Sequence, residues 1–404
     1  MTQADDPRPV VAHFVRKSTH FRASFIKNQV ESHQRYRPVL AFREFSRRAD
    51  GGFASFDLEG FPCLDLSPGH SWLEEQLFRR LFRIGRRDVD RALEFLRAGK
   101  ARVLHFHYGT DAGMYAQVMR RSGLPSVASF YGYDCSSFPR MLWGYGGRFL
   151  RATVFRHATR VLAMSRDMER LLLEAGCPPE KIVVHYYGTD VDRFLLPEDF
   201  ERPGREAPVL LTVSSLQPYK GHLFLLRALA KLAASGGPDF RLRILGDGEL
   251  AGEIRDFVAQ NGLEGRVTML GMLEYASGAF MEEFRQADVL CHTSVTAPGN
   301  VQEGIPGALV EGMASGLPVV STYHAGIPSV VETERTGLLA REWDVDALAD
   351  ALARVLSSAE LRRSLGRAAR RHAVEHLRLQ DRERHLEALY DRLRAEAGDP
   401  DAPR

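Results

Sequence analysis

Apolar and polar positions along the chain fall into two alternating kinds of block. Short apolar runs, PVVAHFV (9–15), PVLAFREF (38–45), RVLHFHY (102–108), PSVASFY (125–131), VLAMS (161–165) and KIVVHYYG (181–188), read as strands. Longer stretches between them space their apolar residues for helices, at 24–33, 71–98 with a break near Gly85, beyond Tyr108 to 119, 151–157 and 166–175. Residues 53–66 carry no regular pattern. The alternation restarts with VLLTVS (209–214), FRLRILG (240–246), VTMLG (267–271), DVLCHTS (288–294) and LPVVS (317–321). Helical spacing recurs at 220–234, 308–315, 345–356, 359–375 and 380–395.

Strands alternating with helices predict parallel, doubly wound α/β sheets. The stretch LLPEDFERPGREAP (195–208) is rich in proline and charge and is the best linker candidate. The expected organisation is therefore two tandem Rossmann-like domains facing a cleft, residues 1–195 and 196–378. A C-terminal helix and frayed tail, 379–404, are expected to cross back to the first domain. Ligands of such folds sit at the carboxyl ends of the strands.

One stretch, EGIPGALVEGMASGLPVVSTYHAGIP (303–328), places chemistry on that framework. Glu303 and Glu311 are separated by Gly304, Ile305, Pro306, Gly307, Ala308 and the start of a helical run. Pro306 suits a first helical turn, where its missing N–H goes unused. Free N–H groups at that helix start can hold a diphosphate. The two carboxylates can accept hydrogen bonds from hydroxyls on either side of it. Lys220, beside Gly221 just after a strand, is poorly placed for a helix dipole and favours an anionic partner.

Composition narrows the classes. The formal net charge of +2 gives no ground for nucleic-acid binding, and none is expected. Four scattered cysteines form no C-x-x-C pair, which argues against a zinc knuckle or a disulfide framework and for a reduced cytoplasm. The polar start MTQADDPRP is no secretory signal, and no apolar run reaches the ~18 residues of a membrane span. A cytoplasmic protein is expected. Arg79, Arg80, Arg83, Arg86, Arg87 and Arg91, interleaved with Leu77, Phe78, Leu81, Phe82 and Ile84, make either a solvated face or a basic amphipathic helix that docks on anionic lipid at the inner face of the membrane.

Several motifs together resemble the retaining glycosyltransferases of family 4, which have the GT-B fold. In the second half these are TVSSLQPYKG (212–221), RILGDGEL (243–250), the spaced glutamates, AGIPSVVE (325–332) and TGLL (336–339). SVTAPGNVQEGIPGALVEGMASGLPVVST is most similar to the exopolysaccharide, colanic-acid-type branch, as are SFIKNQV, HFHYG, FYGYD and GTDVDRF in the first half. The resemblance implies transfer of a sugar from a nucleotide diphosphate sugar, the co-substrate, to a hydroxyl acceptor such as a lipid-linked saccharide. It implies no cofactor and no metal. It assigns acceptor binding to the first domain and nucleotide-sugar binding to the second. Lys220 would pair with the diphosphate, Glu303 and the backbone after it with the sugar, Glu311 with the ribose, and Gly246 and Gly248 would bring the backbone close to base or ribose.

Two departures from the pattern stand out. Ser215 occupies a place where relatives carry Arg, and Tyr131 one where they carry His beside the donor sugar. Tyr131 can donate one hydrogen bond but cannot be a cation at neutral pH. They motivate an alternative, a catalytically weakened nucleotide-sugar-binding subunit; a synthase or phosphorylase on the same fold is a third. His107, Tyr108 and Asp134 are acceptor-site candidates at strand ends, with a turn cap as the simpler role of Asp134. His105 and His107 share a strand face, but no third metal ligand is evident, and His105 reads as packed core. Asp190 and Asp192 read as turn or linker residues rather than metal ligands.

Overall fold

Each predicted β-rich run reappears as a strand of one of two all-parallel sheets. In the computed structural model, which describes residues 6–19, 24–45 and 61–403, the first sheet contains β1 (Val10–Lys17), β2 (Arg37–Glu44), β3 (Cys63–Asp65), β4 (Ala101–His107), β5 (Ser126–Ser129), β6 (Arg160–Ala163) and β7 (Ile182–Val184). Their order is β3-β2-β1-β4-β5-β6-β7. The second contains β8 (Val209–Val213), β9 (Arg241–Leu245), β10 (Val267–Gly271), β11 (Val289–His292), β12 (Val319–Thr322) and β13 (Gly337–Ala340), in the order β10-β9-β8-β11-β12-β13. Apolar runs fill most of β8 and β11 and the centres of β1 and β2, whose polar residues lie mainly at the strand ends, as strands covered on both faces require. β3 and β13 were not foreseen; they are edge strands of three and four residues, too short to show a period.

The chain divides into two compact units, Met1–Gly188 with Leu379–Arg404, and Thr189–Arg378. The segment read as a linker, 195–208, lies inside the second unit. Val191, Phe194 and Leu196 are already buried there. Phe194 packs on Phe284 with ring centroids 5.1 Å apart. Arg202 donates to the carbonyls of Phe284 (2.9 Å) and Ser315 (2.6 Å). Proline and charge here mark a surface strap rather than a free connection.

The last helix, Leu379–Glu396, belongs to the first unit. Leu386, Leu389, Tyr390 and Leu393 join that unit's core. Its other buried face is polar, with Glu383, Glu387, Asp391 and Arg394. The helical stretch at 71–98 breaks near Gly85 as expected, into Trp72–Leu81 and Arg86–Ala98. Phe82 closes the first in a left-handed conformation, φ 51°, and Gly85 precedes the second in an extended one. The arginines are thereby divided: Arg79 and Arg80 end the first helix, while Arg91 donates to the Asp65 carbonyl at 2.7 Å. Part of the irregular stretch predicted at 53–66 and the Leu77 side chain lie outside the described residues. No helix among the described residues is long and apolar enough to cross a membrane.

Candidate functional site

Because all strands of the second sheet are parallel, their carboxyl ends share one edge. The sequence order reverses between β8 and β11, the switch point where such sheets bind ligands. Lys220 follows β8, at the end of a short 3₁₀ turn, Pro218–Lys220. Glu303 follows β11, in the loop before the helix Gly307–Ala314. Pro306 immediately precedes this helix rather than opening its first turn, with φ −66° and ψ 126°. Ile305 and Pro306 are buried, and Gly304, Gly307 and Ala308 half-buried.

Glu303 is the hub. Its carboxylate accepts from the Lys220 ammonium, from the Ser294 hydroxyl and from His292 Nε2 at 3.1 Å. Burial opposes its charge, but the Lys220 ammonium and then His292 outweigh it and hold the carboxyl well below the usual range. The Glu303 N–H donates to His324 Nε2 at 3.3 Å, so His324 uses Nδ1–H to donate to Glu342 at 2.7 Å. His292, Ser294 and His324 went unremarked in the sequence; HTS at the end of an apolar strand was the available signal.

Glu311 sits one helix turn deeper and is buried. Burial pushes its carboxyl up to about 7, against a hydrogen bond from Tyr275 and the charge of Arg193. The Tyr275 hydroxyl donates to Glu311 at 2.8 Å, and the Arg193 guanidinium lies 4.2 Å from the Tyr275 ring centre. Nothing in the sequence distinguished Tyr275 from any loop tyrosine.

Gly246 and Gly248 have φ of 148° and 159°. A Cβ at Gly246 would lie 1.9 Å from the Ser214 carbonyl oxygen, and one at Gly248 2.7 Å from that of Leu216. What these glycines admit is the backbone of the 214–216 loop, which carries the exposed Ser215. A side chain at either position would collide with that loop.

In the first unit, His107, Tyr108, Tyr131 and Asp134 come together. The Tyr131 hydroxyl is 2.7 Å from His107 Nδ1, and its ring centre 4.9 Å from that of Tyr108. Asp134 accepts from the N–H groups of Gly109 (2.7 Å), Tyr131 (3.0 Å) and Gly132 (3.0 Å), capping the turn; burial still raises its carboxyl to about 6. His107 is fully buried, and both ring nitrogens are hydrogen-bonded within the unit.

A third histidine does approach the pair on β4: His13, opposite His105 in the β1–β4 register. The geometry fits hydrogen bonding rather than a metal. The His105 and His107 rings are parallel to within 12°, so their in-plane lone pairs do not converge on one point. His105 hydrogen-bonds Tyr390 and Ser129. His13 bonds His107 and His33. Asp192 pairs with Arg378 at 2.8 Å, a local tie.

Comparison with solved proteins defines the class. The chain superposes on Anabaena HepE, solved with UDP, with a TM-score of 0.74 at 18% identity, over 94% of this chain and 99% of that one. The two parallel-sheet α/β units are those of the GT-B fold. The profile for "Glycosyl transferases group 1" matches residues 197–372, and that for "Glycosyl transferase 4-like domain" residues 37–188. The chain is 36% identical to the colanic acid biosynthesis glycosyltransferase named WcaL of Escherichia coli K12, over 69% of this chain and 67% of that protein. With WcaL of Salmonella typhimurium it shares 36% identity over 61% of this chain and 59% of the relative. The match thus spans about three fifths to two thirds of these relatives' length. This chain belongs to the group 1, family 4-like glycosyltransferases.

Proposed function

We propose that the protein transfers a sugar from a nucleotide diphosphate sugar to a saccharide hydroxyl, with retention of anomeric configuration, in bacterial exopolysaccharide synthesis. The supporting observation is the half-buried Lys220–Glu303 pair ahead of the helix Gly307–Ala314, with Glu311 in that helix. Glu303 takes one of the ammonium's three N–H donors; the others are directed to a diphosphate, with the helix N–H groups completing the cradle. That arrangement stabilises charge on a departing diphosphate, the demand of this chemistry. Glu303, held by three donors, acts as a hydrogen-bond acceptor for sugar hydroxyls rather than as a nucleophile. A diphosphate oxygen takes the acceptor's proton, so no metal and no cofactor enter. Glu311 receives the ribose diol once Tyr275 yields an oxygen.

The test combines a thermal-shift screen against UDP-, GDP-, ADP- and dTDP-sugars with turnover assays. A ligand of the folded state raises apparent stability by mass action. Lys220→Ala is expected to reduce turnover about 100-fold or more, the scale of losing one charge-stabilising donor. Glu311→Ala is expected to weaken nucleotide-sugar binding about tenfold. If neither quantity changes, the site is assigned wrongly. The second reading, a binding subunit without turnover, is favoured by Ser215 and by the Tyr131 hydroxyl's bond to His107. Donor binding without transfer to any saccharide would select it.

Contact with anionic lipid belongs to the same proposal. Trp72, Leu73 and Leu81 are 76%, 61% and 52% exposed on the helix that ends with Arg79 and Arg80. Sedimentation with phosphatidylglycerol vesicles, lost on Trp72→Ala with Leu73→Ala, is the expected result.

A further inference from the structure

Three imidazoles in the first unit form a continuous hydrogen-bonded chain between Tyr131 and the last helix. The contacts are Tyr131 hydroxyl to His107 Nδ1, 2.7 Å; His107 Nε2 to His13 Nδ1, 2.9 Å; His13 Nε2 to His33 Nε2, 3.0 Å; and His33 Nδ1 to Glu387, 3.3 Å. His13, His33, His107 and Glu387 are buried. A neutral imidazole has one donor and one acceptor nitrogen, so fixing the proton at one end fixes every ring.

Glu387 supplies that anchor. The oxygen facing His33 also accepts the N–H groups of Gln34 and Arg35, each at 3.0 Å, and of Tyr36 at 3.3 Å. An oxygen serving four donors is an ionised acceptor. Glu383, 3.8 Å from the same His33 nitrogen, is beyond hydrogen-bond range. His33 therefore carries its proton on Nδ1 and accepts at Nε2. His13 donates from Nε2 and accepts at Nδ1. His107 does the same, and the only proton left for its Nδ1 is that of Tyr131. A second arm leaves the same helix one turn on: Tyr390 meets His105 Nδ1, and His105 Nε2 meets the Ser129 hydroxyl.

We propose that Glu387 is a positioning residue for Tyr131: acting through His33, His13 and His107, it commits the Tyr131 proton to His107, so that the phenol oxygen, which also meets the Ser129 hydroxyl, serves a sugar hydroxyl as an acceptor and not as a donor. The substrate half of this statement rests on the proposed glycosyl transfer; the chain itself does not. The chain orients and does not drain protons, because three backbone N–H donors keep Glu387 a poor proton acceptor.

Protein labelled with ¹⁵N-histidine, without ligand, tests the chain by long-range ¹H–¹⁵N NMR. The wild type is expected to show Nε2–H on His13 and His107 and Nδ1–H on His33. Glu387→Leu is expected to give mixed tautomers at His107, a residue Glu387 does not touch. Tyr131→Phe and Glu387→Leu are each expected to raise KM for the sugar substrate about fivefold, the worth of one hydrogen bond, with the double variant no worse than either. Nδ1–H on His107 in the wild type overturns the proposal. So does an unchanged His107 tautomer in a folded Glu387→Leu protein, or stoichiometric zinc with metal-shifted imidazole signals. If circular dichroism shows that Glu387→Leu does not fold, the wild-type tautomers decide alone. Correct tautomers with no turnover on any nucleotide sugar would overturn the transfer reading and leave the chain standing.

Discussion

At the scale of single residues, the two acids of the candidate donor site are set far apart by their neighbours. Glu303 has an ammonium, an imidazole and a hydroxyl and stays ionised. Glu311 has chiefly Tyr275, and its carboxyl rises to about 7. The folded pKa lies above the unfolded value of 4.5. Glu311 therefore contributes stability that is full below that value and lost as pH rises through 7. A ribose diol donates best to the ionised form, so nucleotide binding moves the other way. Kd at pH 6 is expected to be about tenfold weaker than at pH 8, the ratio of ionised fractions around pKa 7. Isothermal titration calorimetry checks this, and Glu311→Gln should flatten the profile. Both glutamates and Lys220 were legible in the sequence because a Gly-rich loop, a helix start and a strand flank them. Tyr275, Arg193 and His324 were not, because their roles arise from contacts between segments far apart in sequence.

At the scale of elements, periodicity located the long strands and most helices, since a buried strand needs a continuous apolar run. It also marked the break near Gly85 in 71–98, where Phe82 closes one helix and Gly85 precedes the next. Composition misled where tertiary contact overrode it. The strap at 195–208 has the composition of a linker, but Arg202 fastens it to four carbonyls of the second unit. The last helix is the most informative element. Leu386→Ala there is expected to cost about 2–5 kcal/mol, the range for a fully buried leucine. Leu73→Ala, 61% exposed, should stay within about 0.5 kcal/mol. Urea unfolding of the two variants makes the comparison.

At the scale of the whole molecule, the second unit is one unbroken segment, Thr189–Arg378, whereas the first is assembled from both ends of the chain. The tandem α/β architecture was readable because the strand–helix rhythm stops and restarts. The boundary at Gly188 was not, because composition pointed to 195–208 instead. A fragment of residues 189–378 is expected to unfold cooperatively on its own and to bind nucleotide with a Kd within about threefold of the full chain, as a domain with its own core can. A fragment of residues 1–188 should lack cooperative unfolding until a peptide of residues 379–404 is added, because Leu386, Leu389, Tyr390 and Leu393 complete its core. Differential scanning calorimetry reads both outcomes.

That split has a consequence during synthesis. After Gly188 leaves the ribosome, the 190 residues of Thr189–Arg378 must be translated before the closing helix exists. At about 5–20 residues per second this is a wait of roughly 10–40 seconds. Throughout it, the nascent first unit lacks the apolar cover of Leu386, Leu389 and Leu393 and the helix partners of His33 and His105, which makes it a natural client for a chaperone. The second unit, contiguous and later born, reaches its native state first.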